Sequence, residues 1–234
     1  EQLDGEAKRS YVREMFSAIA PRYDFLNHTL SLNFDRHWRR VAVRRLNWGD
    51  APAGAYLDLC AGTLDLAVEL ERQPGFRGTV VGADFAIPML ELGKSKARRV
   101  QTVGADALVL PFPDGAFDGC TVGFGVRNLA DLDRGLREIA RVLKPGGRVV
   151  ILDFSLPRQW PIRPLYLFYF KYVLPILGRL VSKHTSAYEY LPASVGRFAT
   201  PSELANRLDR AGFRGSRAEE LTFGIAALVT GARA

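Results

Sequence analysis

A glycine-containing loop and the acid that ends the next strand are the first residues in this chain whose types and spacing suggest shared chemistry. Ala55-Tyr-Leu-Asp-Leu-Cys-Ala-Gly-Thr-Leu-Asp-Leu-Ala67 is a mostly apolar run that stops at Gly62, and Val80-Val-Gly-Ala-Asp84 answers it after a helix-compatible stretch. A buried parallel strand needs a near-continuous apolar run. Small residues after it let the backbone approach a ligand at the N-terminus of the next helix. An acid ending the second strand can then accept from both hydroxyls of a ribose. The pattern is that of a nucleoside-binding half-sheet. No Gly-x-Gly-x-x-Gly follows the first strand, which argues against a nicotinamide dehydrogenase. An Asp after a strand also has an ordinary explanation as a helix N-cap or turn former.

Elements able to position these residues recur along the chain. Strand-like runs fall at Ala55–Leu59, Thr79–Asp84, Gln101–Asp106, Phe117–Phe124 and Arg148–Phe154. Helix-compatible segments separate them at Asp65–Glu71, Ile87–Arg99 and Leu132–Leu143, the last closed by Lys144-Pro-Gly-Gly147. Such alternation predicts βαβ units and a parallel sheet. Two final runs, Ala218–Thr222 and Ile225–Arg233, turn around Gly224 and predict a hairpin that sets an antiparallel strand at one edge of the sheet. No internal repeat or low-complexity segment is present.

Composition supports one domain. The chain has 234 residues, 47% of them apolar, enough for a single α/β core with elaborations. Cys60 and Cys120 lie inside apolar runs without a nearby Cys or His, so buried free thiols in a reducing compartment are expected and no metal site is. The charged start, Glu1 to Arg13, has no secretory character, and a cytoplasmic location is expected. A net charge of +7 admits nucleic acid, an anionic membrane surface or no specific partner. The basic residues concentrate in Arg36–Arg45, Lys94–Arg99 and between Arg158 and Lys183.

Two separated motifs resemble a known family. Tyr23-Asp-Phe-Leu-Asn27, followed by Ser31 and Arg36-His-Trp38, is similar to the N-terminal signature of the UbiE/MenG quinone C-methyltransferases, and Arg141-Val-Leu-Lys-Pro-Gly-Gly147 running into Ile151-Leu-Asp-Phe-Ser155 is similar to their second signature. Gly82-Ala-Asp84, Asp106-Ala107 and Gly123-Phe-Gly-Val-Arg-Asn128 lie between them in the expected order. The resemblance covers nearly the whole chain. It implies a doubly wound α/β fold with a mostly parallel seven-stranded sheet of the class I methyltransferase type, an N-terminal helical cap over residues 1–50 and a helical insertion over 157–199. It also implies S-adenosyl-L-methionine as cofactor and a prenylated quinol as substrate. The reaction would be C-methylation of a reduced quinone ring, with demethylmenaquinol preferred over the benzoquinol precursor of ubiquinone.

By the same resemblance, Gly62, Thr63, Asp84, Asp106, Ala107 and Gly123 are cofactor-binding residues. Asp84 would accept from the ribose hydroxyls, Asp106 from the adenine amine, and Ala107 would leave room for the ring. Arg127 matches a position that activates a water, with Asn128 beside it and Tyr23 facing the substrate. Arginine stays protonated, so a base role would run through that water. The chain departs from the family at Ala61, Leu64 and Gly123 in the cofactor loops and at Leu26, Asn33, Asp35 and Asp153 elsewhere. Leu64 stands where the family has glycine, and leucine suits neither a positive φ nor close clearance, so weaker or reshaped cofactor binding is an expectation.

The stretch Pro157–Tyr190 interrupts the strand-helix order with Leu165 to Val181, rich in aromatic and aliphatic residues. It is broken by Lys171, Pro175 and Arg179 and falls short of the about 20 apolar residues that span a bilayer. An interfacial segment at the inner face of the membrane is expected instead, with a lid or homodimer contact as competitors. His28, His37 and His184 are further candidate bases, though a lone histidine is more often a packing residue. Gly125-Val-Arg-Asn128 replaces the Asn-Pro-Pro-Tyr type of motif, which speaks against a nucleic-acid methyltransferase. A catalytically silent quinone-binding subunit is the remaining rival, because Ala61, Leu64 and Gly123 all alter the cofactor loops.

Overall fold

The computed structural model describes residues 5–20, 23–173 and 186–234. Seven strands form one sheet: β1 (Ala55–Leu59), β2 (Thr79–Asp84), β3 (Gln101–Gly104), β4 (Phe117–Gly123), β5 (Leu143–Phe154), β6 (Phe213–Leu221) and β7 (Ala226–Arg233), in the order β3-β2-β1-β4-β5-β7-β6. The pairs β1–β2, β1–β4, β2–β3 and β4–β5 are parallel, whereas β7 runs antiparallel to both β5 and β6. The reversal of strand order between β1 and β4 opens a crevice at their carboxyl ends, where such sheets bind ligands.

One expectation is corrected here. The antiparallel strand is not at the edge: β7 lies inside the sheet, and the edge strand β6 runs parallel to β1–β5. Burial explains the choice. Ala226 to Gly231 of β7 are all buried, while most of β6 is exposed or half-buried and carries Arg214, Arg217, Glu219 and Glu220. The apolar strand takes the position with two neighbours, and the charged one protects the open edge.

Side chains alternate between two helical layers, as strand geometry requires. Leu57, Leu59, Val81, Ala83, Val149 and Ile151 meet α6 (Leu132–Val142) and α9 (Pro201–Arg210) through Leu136, Ile139, Leu204 and Leu208. Tyr56, Val80, Val150, Leu152 and Leu228 face the other way, against α3 (Phe34–Arg45), α4 (Asp65–Glu71) and α5 (Ile87–Lys94). The helix expected over Ile87–Arg99 ends at Lys94, and Leu143 onward already belongs to β5, so Lys144-Pro-Gly-Gly147 enters a strand directly after α6. Asp131 caps α6 by accepting from the Arg134 N–H, and Thr200 with Glu203 forms a capping box on α9.

Two elaborations cover the carboxyl ends of the strands. The first is α1 (Gly5–Ile19), α2 (Tyr23–Leu30) and α3. The second comprises α7 (Ile162–Phe168), a π-helical turn at Tyr169–Val173, and α8 (Ser186–Arg197). His184, Arg179 and Lys183 lie outside the described residues. Tyr166 and Phe170 pack against Val195 of α8 and, through Phe154, against the sheet. Much of the basic excess is structural. Arg39 pairs with Asp35 and Asp65, Arg45 with Glu219, Lys96 with Asp24 and Asp65, and Arg141 with Glu138 and Asp114.

Leu64 adopts a left-handed backbone, with φ 67° and ψ 21°, and is fully buried. Its side chain packs on Gly82 of β2 and Gly93 of α5, where a Cβ at Gly93 would approach Leu64 Cγ to 2.7 Å. Two glycines thus make the space that one leucine fills. Leu64→Gly should relieve the left-handed strain but empty this site, lowering unfolding free energy by about 2–4 kcal/mol. Urea titration checks this, and an unchanged or raised midpoint would show that backbone strain outweighs the packing.

Candidate active site

The carboxyl ends of β1, β2 and β4 open into one cavity lined by Gly62, Asp84, Phe85, Met89, Asp106, Ala107, Leu108, Gly123, Phe124 and Asn128, with Arg9 and Phe16 of α1 and Tyr23 of α2 completing it. Asp84 ends β2 with its carboxylate buried. Its Oδ2 accepts from the Gly62 N–H at 2.8 Å and its Oδ1 from the Ala86 N–H at 2.8 Å. Burial pushes this carboxyl above its usual range, against the pull of the backbone N–H groups of Ala86, Gly62 and Phe85. Each oxygen keeps a lone pair for a further donor. Asp106 accepts from the Leu108 N–H at 2.9 Å and forms an ion pair with Arg9.

The loop after β1 is held from beneath. Leu64 cannot cap α4, and Asp58 of β1 does so instead, accepting from the Ala67 N–H at 3.0 Å and from Thr121 Oγ1 at 2.9 Å. Burial raises the Asp58 carboxyl to about 7. Thr63 is buried, and its hydroxyl donates to Asp24 of α2. Asp58, Thr63, Asp65 and Arg39 line a small recess that adjoins Gly62, Gly123 and Phe124. A Cβ at Gly123 would approach Leu66 Cδ1 to 2.6 Å, so the glycine leaves room for that packing.

A second cavity shares Phe16, Tyr23 and Phe124 with the first. Its other walls are Met15, Ile19, Asn27, Ser31, Asp35, Arg39, Arg127, Phe154, Tyr190 and Leu191, a predominantly aromatic and aliphatic lining with one acid and two guanidinium groups. Arg127 NH1 donates to Phe124 O at 2.6 Å and to Asp153 Oδ1 at 2.5 Å, with its guanidinium 5.5 Å over the Phe154 ring. Asp153 is raised above the ordinary carboxylate range by burial, which the Arg127 charge opposes. Burial likewise raises the Tyr23 hydroxyl, keeping it protonated. Asp35 is buried yet held below its usual range, because Arg39, Ser31 and His28 outweigh desolvation. His28 Nδ1 lies 2.7 Å from Asp35 Oδ2.

All of the cofactor-side residues expected from sequence except Thr63 line the first cavity: Gly62, Asp84, Asp106, Ala107 and Gly123. Thr63 faces the recess behind it. Tyr23 lies between the two cavities, Asn128 lines the first and Arg127 the second. Leu64 takes the positive φ that leucine suits poorly, and its side chain turns into the core, away from the cavity. Sequence reasoning missed Arg9, Asp58 and Tyr190. Asp58 sat in plain view in the first motif as a charged residue within a buried strand, a signal that it needed a partner. Arg9 and Tyr190 gave none, being distant along the chain from what they touch.

Comparison with known proteins identifies the family. A model of the ubiE/COQ5 methyltransferase family matches residues 4–233. The demethylmenaquinone methyltransferase of Thermus thermophilus is 51% identical, with 94% of this chain and 100% of that protein covered. That of Deinococcus radiodurans is 46% identical, covering 97% and 95%. The ubiquinone/menaquinone biosynthesis C-methyltransferase UbiE of Geotalea daltonii is 45% identical, covering 96% and 97%. Among solved structures, a SAM-dependent methyltransferase from Thermotoga maritima superposes with a TM-score of 0.64 at 18% identity, covering 94% of this chain and 99% of that one. The [4+2]-cyclase SpnF gives 0.68 at 16% identity, covering 95% and 94%. These two establish the fold.

The buried Asp58 carboxyl predicts a pH-sensitive fold. An acid whose carboxyl rises from 3.8 to about 7 on folding binds more protons in the native state, so stability falls as pH rises from about 4 to about 7. Asp84 and Asp153 act in the same direction. Asp58→Asn should remove part of that fall, measured by urea unfolding across the range. An identical slope in the variant would place the titration elsewhere.

Proposed function

The chain belongs to the ubiE/COQ5 methyltransferase family, and we propose that it takes S-adenosylmethionine in the Asp84–Asp106 cavity and a reduced quinone in the aromatic cavity beside it. It is a SAM-dependent methyltransferase that methylates a ring carbon of an isoprenoid quinone in menaquinone or ubiquinone biosynthesis. Demethylmenaquinol is our preferred substrate, because relatives at 51% and 46% identity are named for demethylmenaquinone alone. The observation that carries the reading is the shared wall. A cavity with two strand-end carboxylates meets an aromatic cavity across Phe16, Tyr23 and Phe124.

The residues fit an adenosine-bearing cofactor. Asp84 has lone pairs left for two ribose hydroxyls, Asp106 has one for an exocyclic amine, and Ala107 with Leu108 offers an apolar seat for a purine. Bound there, S-adenosylmethionine supplies an electrophilic methyl group. The quinol must lose a phenolic proton before its ring carbon becomes a strong nucleophile, and later the proton on the methylated carbon. Arg127, locked by Asp153 and Phe124 O, places a fixed positive charge on the second cavity that favours the phenolate. It stays a cation, so its part in proton removal runs through a water. Tyr23, kept neutral, is a hydrogen-bond donor where the two cavities meet.

We assign the substrate's route to the lipid surface. Among the described residues no helix is long and apolar enough to cross a membrane. Trp160, Leu165, Phe168 and Tyr172, at and around α7, are 84%, 70%, 56% and 49% exposed, with Arg158, Arg163 and Lys171 exposed among them. Apolar rings among cations suit the inner face of an anionic bilayer, from which a prenylated quinol is drawn. Leu165→Glu with Phe168→Glu should weaken sedimentation with anionic vesicles and leave cofactor affinity intact; undiminished sedimentation would remove α7 from the contact.

Detergent-solubilised protein supplied with methyl-labelled S-adenosylmethionine and equal demethylmenaquinol and demethylated ubiquinol precursor should place label on a ring carbon, chiefly of the former. No label on either quinol would refute the activity. Asp84→Ala should abolish S-adenosylhomocysteine binding in calorimetry while near-native circular dichroism is kept, and retained affinity would refute the ribose role. Arg127→Ala should spare that binding and suppress turnover by about 10²-fold or more.

A further inference from the structure

Tyr190 sits where the two elaborations and the loop after β4 converge. Its ring packs against Tyr11 of α1 with centroids 5.9 Å apart and joins the cluster around Met15 and Ile19. Its hydroxyl donates to Asn128 Oδ1 at 3.0 Å, and burial raises that hydroxyl so that it remains a donor. Phe124 O can only accept a hydrogen bond, and the amide atom turned toward it at 3.5 Å is therefore Asn128 Nδ2. The two contacts orient the carboxamide. Its oxygen is taken by Tyr190, while the Phe124 O contact is too long to satisfy the amino group, and Arg127 NH1 holds the same oxygen at 2.6 Å.

We infer that Tyr190 is a positioning residue for the methyl transfer, fixing Asn128 with its N–H groups toward the junction of the two cavities. There they donate to the oxygen of the quinol that gains negative charge. The inference rests on the functional reading above. A freely rotating carboxamide would present its oxygen part of the time, and a carbonyl oxygen facing a phenolate is repulsive. A donor held beforehand needs no reorientation as the charge develops. Because Tyr190 belongs to α8, the insertion also takes part in the chemistry: α8 must be seated on α1 for the amide to be set.

Tyr190→Phe keeps the ring and removes the hydroxyl. It should lower kcat by about tenfold, with KM for the quinol and affinity for S-adenosylhomocysteine unchanged. Asn128→Ala should cost at least as much, and the double variant no more than Asn128→Ala alone. In protein labelled with ¹⁵N-asparagine, the side-chain N–H₂ signals assigned to Asn128 by their loss in Asn128→Ala should shift in Tyr190→Phe. A wild-type kcat in Tyr190→Phe, or additive losses in the double variant, would overturn the inference. If the wild-type protein methylates neither quinol, the functional reading fails, and the amide signals decide whether Tyr190 holds Asn128. A shift in Tyr190→Phe supports that hold, and unmoved signals overturn it.

Discussion

A carboxylate buried at the end of a parallel strand has to be met by N–H groups, and Asp84 meets them from two different loops. Gly62 approaches from the loop after β1 and Ala86 from the loop after β2. The hydrogen bonds that make burial of this charge tolerable therefore also set the mouth of the cavity. Asp58 does the same one layer deeper, joining β1 to β4 through Thr121 and to the start of α4 through Ala67. Both acids are raised by burial, a cost accepted at a site where ligand-facing geometry must be held rigidly.

The cap is attached to this frame by charge. Asp35, Arg39, Asp65, Lys96, Asp24 and Thr63 form a continuous chain of ion pairs and hydrogen bonds from the second cavity to the cofactor loop. Removing one member of such a partly buried chain leaves its neighbours uncompensated, which costs more than the chain contributes relative to an apolar packing. Its value is in register. It places α2, and hence Tyr23, over Gly62. Trp38 secures α3 to the opposite end, with its indole N–H on Thr222 Oγ1 and its ring against Phe124 and Phe154.

Phe124 shows how one residue serves both cavities. It has a positive φ of 57°, its N–H donates to Leu152 O, and its ring takes the Arg39 guanidinium at 5.6 Å. A bulky residue held in the left-handed region is strained, and such strain persists where the surroundings over-determine it. Its carbonyl then accepts from Arg127 at 2.6 Å, with Asn128 Nδ2 farther off at 3.5 Å. The backbone twist at Phe124 thus turns one oxygen toward both polar groups of the loop after β4.

Much of this was legible in the chain. Apolar runs ending in Gly62, Asp84 and Gly123, spaced by helical segments, determine a parallel sheet with ligand-binding loops at its carboxyl end, because period and punctuation are local properties. Asp84 follows from the same spacing, whereas Asp106 was legible only through the family resemblance. The family motifs added the chemistry. Three things were decided only in the folded chain. Leu64 shares a glycine's backbone, but the direction of its side chain depends on the space left by Gly82 and Gly93, residues with which it shares no local pattern. Strand β7 moved inside β6 because relative burial compares two strands against a common sheet, which neither reveals alone. Arg9 and Tyr190 reach the site from elements 97 and 62 residues away from their partners. Contacts of that separation arise from how helices pack over the strand ends, and no local spacing encodes them.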